Sequence, residues 1–182
     1  MRVITGTARG RRLETLEGED VRPTTDRVKE AVFSVIQFET EGRRFLDLFA
    51  GSGQMGIEAL SRGARSATFV DSSKKAVETV KRNLASTKLE QNARVYHTDW
   101  QTFVAGGSER FDIAFLDPPY RTGVLQSALE RVTGLMNETG VIIAECPVDE
   151  KILPNYADFV LDRQYRYGKI KISTFRHKDF IR

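Results

Sequence analysis

Apolar and polar positions along this chain switch repeatedly between two rhythms. Short, dense apolar runs occur at Phe45-Leu46-Asp47-Leu48-Phe49-Ala50, Ala67-Thr68-Phe69-Val70, Phe111-Asp112-Ile113-Ala114-Phe115-Leu116 and Val141-Ile142-Ile143-Ala144, with a weaker one at residues 93–98. Runs of this length and density predict strands, the densest of them buried on both faces. Between them, Val28, Ala31, Val32, Val35 and Ile36 recur at helical spacing, as do Ala76, Val77, Val80 and Leu84, and then Val124, Leu125, Ala128, Leu129, Val132 and Leu135. A further helix is predicted from the Gly51–Gly56 loop to about Arg62, ended by Gly63. The first helix is predicted to open near Thr24, Thr25 or Asp26, with Lys29 on its surface.

Five strands alternating with helices predict a doubly wound parallel sheet, an α/β fold. Two trailing apolar segments, Phe159–Leu161 and Lys169–Phe175, are separated by Gly168 and predict an antiparallel hairpin at the sheet edge. That makes seven strands. Residues 149–156 are expected to be irregular or a short helix. Residues 2–16 read as a small hairpin or extended arm with an Arg9-Gly10-Arg11-Arg12 tip. The chain is expected to form a single compact domain, with residues 1–40 as an arm and helix packed on a core of residues 41–182.

The ends of the strands carry the chemistry. The fourth strand stops at Asp117-Pro118-Pro119-Tyr120. Neither proline has an N–H to give a ladder, so the chain must leave the sheet there, at the carboxyl edge where open α/β sheets hold ligands. An exocyclic amino group on a base has its lone pair delocalised into the ring. Asp117 and the Pro118 carbonyl can each accept one of its hydrogens, holding the nitrogen and making its lone pair more available. Tyr120 can stack on the base. The gain comes from positioning and electrostatics.

The first strand is followed by Gly51-Ser52-Gly53-Gln54-Met55-Gly56, a literal match to the dinucleotide fingerprint, and Asp71 follows at the range of an acid on a ribose diol. A nicotinamide oxidoreductase is therefore a competing reading. Three features favour S-adenosylmethionine. Asp47 precedes the glycines inside the strand and suits a cationic amino-acid tail, whereas it would repel a pyrophosphate. Asp99 ends the third strand and can accept from an adenine amino group. The fourth strand ends in the Asp117 loop. The histidines, His97 and His177, follow no hydride-transfer pattern and read as structural or surface residues.

Composition adds a partner. Hydrophobic residues are 40% and charged residues 29% of 182, an ordinary globular mix. No apolar run approaches the ~20 residues of a membrane helix, and the N-terminus has no signal-peptide core, so a cytoplasmic protein with no membrane partner is expected. The single Cys146 excludes an internal disulfide and is expected to be a buried packing residue. Net charge is only +3, yet residues 1–12 hold four Arg and no acid, and residues 163–182 hold seven Lys or Arg and one Asp. A basic patch built from both chain ends suits a polyanion, most simply nucleic acid.

The sequence resembles class I S-adenosylmethionine-dependent methyltransferases, and most closely the RsmD-type family of bacterial 16S ribosomal RNA guanine-N2 methyltransferases. The resemblance rests on Arg9-Gly-Arg-Arg-Leu13, Arg22-Pro-Thr-Thr-Asp-Arg-Val-Lys-Glu-Ala31, Leu46-Asp-Leu-Phe-Ala-Gly-Ser-Gly53, Gly56 to Ala64, Phe111 to Tyr120 and Tyr167-Gly168. It implies a Rossmann-like methyltransferase fold. Asp47, Gly51 and Gly53 would hold the methionine part of the cofactor. Asp71 would take the ribose hydroxyls, although many relatives carry the longer Glu there. Asp99 would bind the adenine amino group, with Trp100 beside the ring. Asp117, Pro118, Pro119 and Tyr120 would receive the guanine, and Arg9, Arg11, Arg22 and Arg27 would contact RNA or shape the mouth of the site. The resemblance implies no metal. It also implies 16S rRNA within a small ribosomal subunit or assembly intermediate as the substrate, with a monomer expected. DNA adenine-N6 and protein glutamine methylases share related motifs, and a non-catalytic RNA-binding module would keep the fold.

Overall fold

A computed structural model describes residues 1–16 and 26–181. Its centre is one eight-stranded sheet: β1 (Arg44–Asp47), β2 (Ser66–Asp71), β3 (Ala93–His97), β4 (Phe111–Leu116), β5 (Met136–Pro147), β6 (Asn155–Tyr156), β7 (Phe159–Tyr167) and β8 (Ile170–His177). The order across the sheet is β3-β2-β1-β4-β5-β8-β7-β6. The first five strands pair in parallel, and β8, β7 and β6 continue the sheet antiparallel. The parallel core and trailing hairpin are thus as the pattern predicts.

Three differences follow from short or weakly patterned segments. The sheet has an eighth strand because Asn155–Tyr156, expected to be irregular or helical, pairs with Phe159–Val160 at the far edge. A helix, Trp100–Gly106, follows β3 where none was predicted; Asp99 caps it by accepting from the Thr102 N–H at 2.8 Å. Lys29 is fully buried rather than on the surface. Its Nζ donates to the Arg2 carbonyl at 2.5 Å and lies 3.9 Å from both Asp26 and Glu58. Burial pushes the ammonium's pKa down, opposed by those two acids.

Both faces of the sheet are covered. Alternation within β1 and β4 sends Phe45, Ile113 and Phe115 to one face and Leu46, Ala114 and Leu116 to the other. On the first face lie α1 (Asp26–Val35), α2 (Gln54–Ser61), α3 (Lys74–Thr87) and the N-terminal arm; on the second lie α4 (Trp100–Gly106) and α5 (Val124–Val132). The arm is a compact loop closed by a bridge between Arg2 and Arg12. Val3, Ala8 and Leu13 bury its inner side in the first core. Glu58, buried on α2, accepts the backbone N–H groups of Ile4 and Thr5 at 2.8 and 3.0 Å, and Ser61 accepts from Ala8. The arm is therefore docked by satisfied polar groups as well as by apolar contact.

The strand order reverses between β1, which pairs with β2 on one side, and β4 on the other. At that switch point the loops after adjacent strands diverge to opposite faces and leave a crevice at the carboxyl edge.

Candidate active site at the carboxyl edge

A cleft of about 540 Å³ opens at this crevice. Asp47, Asp71, Asp99 and Asp117, from the ends of four successive strands, all line it, as do Gly51, Trp100, Pro118, Pro119 and Tyr120. Residues far apart in sequence thus share one wall system because each parallel strand delivers its end to the same edge.

Asp47 is 1% exposed at the end of β1. Its Oδ2 accepts from the Gly56 N–H at 3.1 Å. Burial, with a smaller push from Asp71, drives its carboxyl up to about 8. A buried acid so poised favours a cationic partner. Asp71 is spent in part on the loops around it: Oδ2 accepts from the Gly51 N–H at 2.9 Å and Oδ1 from the Ser73 N–H at 2.8 Å. Asp99 accepts from both the N–H and the hydroxyl of Thr102, and these bonds hold its carboxyl below the usual range. Trp100 stands beside it, with Phe49 at 6.3 Å and the Arg131 guanidinium over its ring at 5.8 Å.

Gly53 does not line the cleft. It caps α2 with φ +78, and a Cβ there would lie 3.1 Å from Val80. Gly56 is tighter still: a Cβ would fall 2.3 Å from the Phe69 ring. Both glycines act through packing, letting α2 approach β2 closely enough to aim its first turn at Asp47. Only Gly51 borders the cavity itself.

The other half of the cleft is the loop after β4. Pro118 is buried, Pro119 exposed and Tyr120 half-buried. The Tyr120 hydroxyl donates to Glu145 Oε1 at 3.1 Å. Glu145, 3% exposed near the end of β5, was not singled out from the sequence; the signal available was an acid ending the fifth apolar run beside the fourth. A second residue missed from sequence is buried Asn83 on α3. Its Nδ2 donates to the carbonyls of Ser52 and Glu14, and its Oδ1 accepts the Glu14 N–H. It ties the glycine loop to the end of the arm, where Thr15 and Leu16 line the cleft. No spacing pattern could have shown that link.

Arg9 and Arg11 lie exposed on the arm, and Arg27 is exposed in the first turn of α1. Arg22 lies outside the described residues.

The fold and the cleft at its switch point define a Rossmann-like methyltransferase. Residues 1–176 match the family model described as Conserved hypothetical protein 95. The chain is 39% identical over 98% of its length, and 100% of the relative's, to YlbH of Bacillus subtilis (strain 168), whose name marks it as a candidate rRNA methyltransferase. It is 32% identical to Ribosomal RNA small subunit methyltransferase D of Escherichia coli (strain K12), over 98% of this chain and 90% of that one. A solved structure of yhhF from Escherichia coli, described as a candidate methyltransferase, covers 97% of both chains at a TM-score of 0.85 and 32% identity. The chain belongs to this RsmD-type family of ribosomal RNA methyltransferases.

Methyl transfer in this class uses S-adenosylmethionine, and the residues present fit it. Asp47, a buried carboxyl, would hold an amino-acid ammonium, Asp71 borders the glycine loop where a ribose diol would need an acceptor, and the wall at Phe49 and Trp100 would suit a purine.

Proposed function

We propose that this protein transfers a methyl group from S-adenosylmethionine to the exocyclic N2 amino group of a guanine in 16S ribosomal RNA, within the small subunit or one of its assembly intermediates. The observation that carries the reading is the Asp117-Pro118-Pro119-Tyr120 loop, which lines the same cleft as Asp47, Asp71 and Asp99. Bound S-adenosylmethionine would supply a methyl group activated by a sulfonium. The residues of this chain do the rest. Asp47, Asp71 and Asp99 orient the donor from one side. On the other, Asp117 and the Pro118 carbonyl accept the two amino hydrogens, so the nitrogen lone pair is turned toward the donor. Tyr120 offers its ring to the base, its hydroxyl being tied to Glu145. The apolar part of the wall, including Phe49, Pro118 and Val124, excludes water, which suits a transition state in which charge disperses. Arg9, Arg11 and Arg27 are assigned to RNA, with Arg22 alongside them in sequence.

The test uses tritiated S-adenosylmethionine and small subunits, or their precursors, from a strain lacking the protein. After digestion of the RNA, label in N2-methylguanosine is the expected result. Label in another nucleoside overturns the guanine assignment while leaving the methyltransferase. No transfer to any RNA overturns the substrate class.

A further inference from the structure

We propose that the β7–β8 hairpin is a second RNA-contacting surface, whose cations hold backbone phosphates of the strand that flanks the target base. The inference rests on the proposed rRNA substrate and adds to it a surface outside the cleft and the arm.

The register of the sheet sets the position. Pro147 pairs with Ile170, Cys146 with Lys171 and Glu145 with Ile172. Because β8 runs antiparallel to β5, its first residues and the preceding Tyr167-Gly168-Lys169 turn lie at the carboxyl end of β5. That is the edge from which the Asp117 loop projects on neighbouring β4. Two to three strand spacings separate loop from turn, roughly 10–15 Å. A single strand of RNA delivering one base to Asp117 passes this turn within a few nucleotides.

Charge sets the partner. Residues 163–171 contain Arg163, Arg166, Lys169 and Lys171 and no acid. Arg163, Arg166 and Lys169 are exposed, and among the described residues none of the three forms an ion pair with a carboxylate. Several other surface cations are neutralised. Arg176, further along β8, is held by Glu39 and Asp162 at 2.7 and 3.2 Å, Arg82 by Glu14 at 2.7 Å and Lys178 by Asp158 at 2.8 Å. The hairpin therefore presents exposed positive charge that forms no close ion pair among the described residues, with Asp162 as a nearby acid beside Arg163, and such charge is what a phosphate backbone neutralises.

The platform is preorganised. Gly168 takes φ +60 to make the tight turn, and Arg166 Nε donates to its carbonyl at 3.3 Å. Tyr165 and Tyr167 alternate along β7 on the same side as Arg163, Ile170 and Ile172, half-buried, while Arg166 and Lys171 pair on the opposite face. Half-exposed rings beside an exposed arginine, next to a turn that carries Lys169, suit single-strand binding. A different role is open to the same cations. β6 covers β7 at Phe159 and Val160, and the Leu161 N–H reaches the Pro154 carbonyl; charge along the rest of this edge deters pairing between copies of the chain. That role needs no RNA, and the experiment separates the two.

Binding of 16S ribosomal RNA, both transcribed in vitro and within small-subunit precursors from a strain lacking the protein, is measured across a salt series for the wild type, for Arg163→Gln/Arg166→Gln/Lys169→Gln, and for Arg163→Lys/Arg166→Lys. S-adenosylmethionine binding and the melting transition serve as controls for folding. The Gln variant should bind RNA more weakly, with the slope of log K against log salt reduced by about 0.7 for each phosphate no longer neutralised, so about 2 for three. The Lys variant should keep the wild-type slope. Wild-type binding with an unchanged slope in the Gln variant overturns the hairpin alone, and self-association of that variant would then assign the cations to edge protection. Failure of the wild type to bind RNA overturns the substrate reading, and the hairpin with it.

Discussion

The two halves of the cleft are built differently. On the donor side, each acid is bonded to main chain: Asp47 to Gly56, Asp71 to Gly51 and Ser73, Asp99 to Thr102. The loops there are shaped by backbone geometry and by glycines that admit close packing. On the acceptor side, Tyr120 is steered by a side chain, Glu145, from the neighbouring strand. Arg121 beyond it pairs with Asp149 at the exposed rim. Asp47 is thus part of the folding core, and a change there is felt in stability and affinity together. Asp117 and Tyr120 are half-buried beyond the end of β4, and a change at either should be felt in turnover with little effect on the fold.

The largest expected effect tests this directly. Asp117→Ala should lower turnover by about 10²–10³-fold, the scale of removing one preorganised polar group from a reacting centre, while S-adenosylmethionine affinity by calorimetry stays near wild type. Loss of cofactor binding in that variant would erase the distinction between the halves.

Asp47→Asn should do the reverse, weakening cofactor binding by about tenfold or more, as expected when a buried charge partner is removed. It also carries a pH signature. The folded carboxyl is pushed from 3.8 up to about 8, so the native state keeps a proton that the unfolded chain releases. The contribution of Asp47 to the stability of the cofactor-free protein is fully present below 3.8 and falls as the pH rises toward about 8. Asn should remove that slope from a series of chemical denaturations between about pH 5 and 8. Equal slopes in the two proteins would show that Asp47 is not the buried acid that titrates.

Gly56→Ala should destabilise by about 1–3 kcal/mol, read as a lower midpoint in urea, because the new methyl meets the Phe69 ring at 2.3 Å. Tyr120→Phe should have the smallest effect, a few-fold loss of kcat corresponding to about 1 kcal/mol for one hydrogen bond, with the melting temperature unchanged. Glu145→Leu should match it, and the double variant should be no worse than either single one. Additive losses would mean that Glu145 acts on something other than Tyr120.

Much of this was legible in one dimension. A parallel sheet announces itself because strands buried on both faces must be nearly continuous apolar runs, and the helices between them must carry a stripe. Asp71, Asp99 and Asp117 could be placed at strand ends because each directly follows its run, whereas Asp47 lies inside a run that continues to Ala50 and only the structure ends the strand there. Elements without a pattern were not legible. Asn155–Tyr156 is two residues long and exists because β7 is there to pair with it. The helix at Trp100–Gly106 is seven residues long with no fully buried side chain, and its one signal was Asp99 three positions before Thr102.

What the sequence by itself determined was the fold class, the family and the side chains delivered to the carboxyl edge, since strand period, glycine spacing and the Asp117-Pro118-Pro119-Tyr120 run are local properties of the chain. The tertiary structure decided which polar residues were drawn into the interior and why. Lys29 looked like a surface cation because its partner within one helical turn, Asp26, is itself partly exposed; it is buried because Arg2 and Glu58, 27 and 29 residues away in sequence, meet it in the core beneath the arm. Asn83 and Glu145 likewise find their partners only across the fold. A buried polar group is tolerated when its hydrogen bonds are satisfied, and at such distances along the chain only the packed structure brings donor and acceptor together.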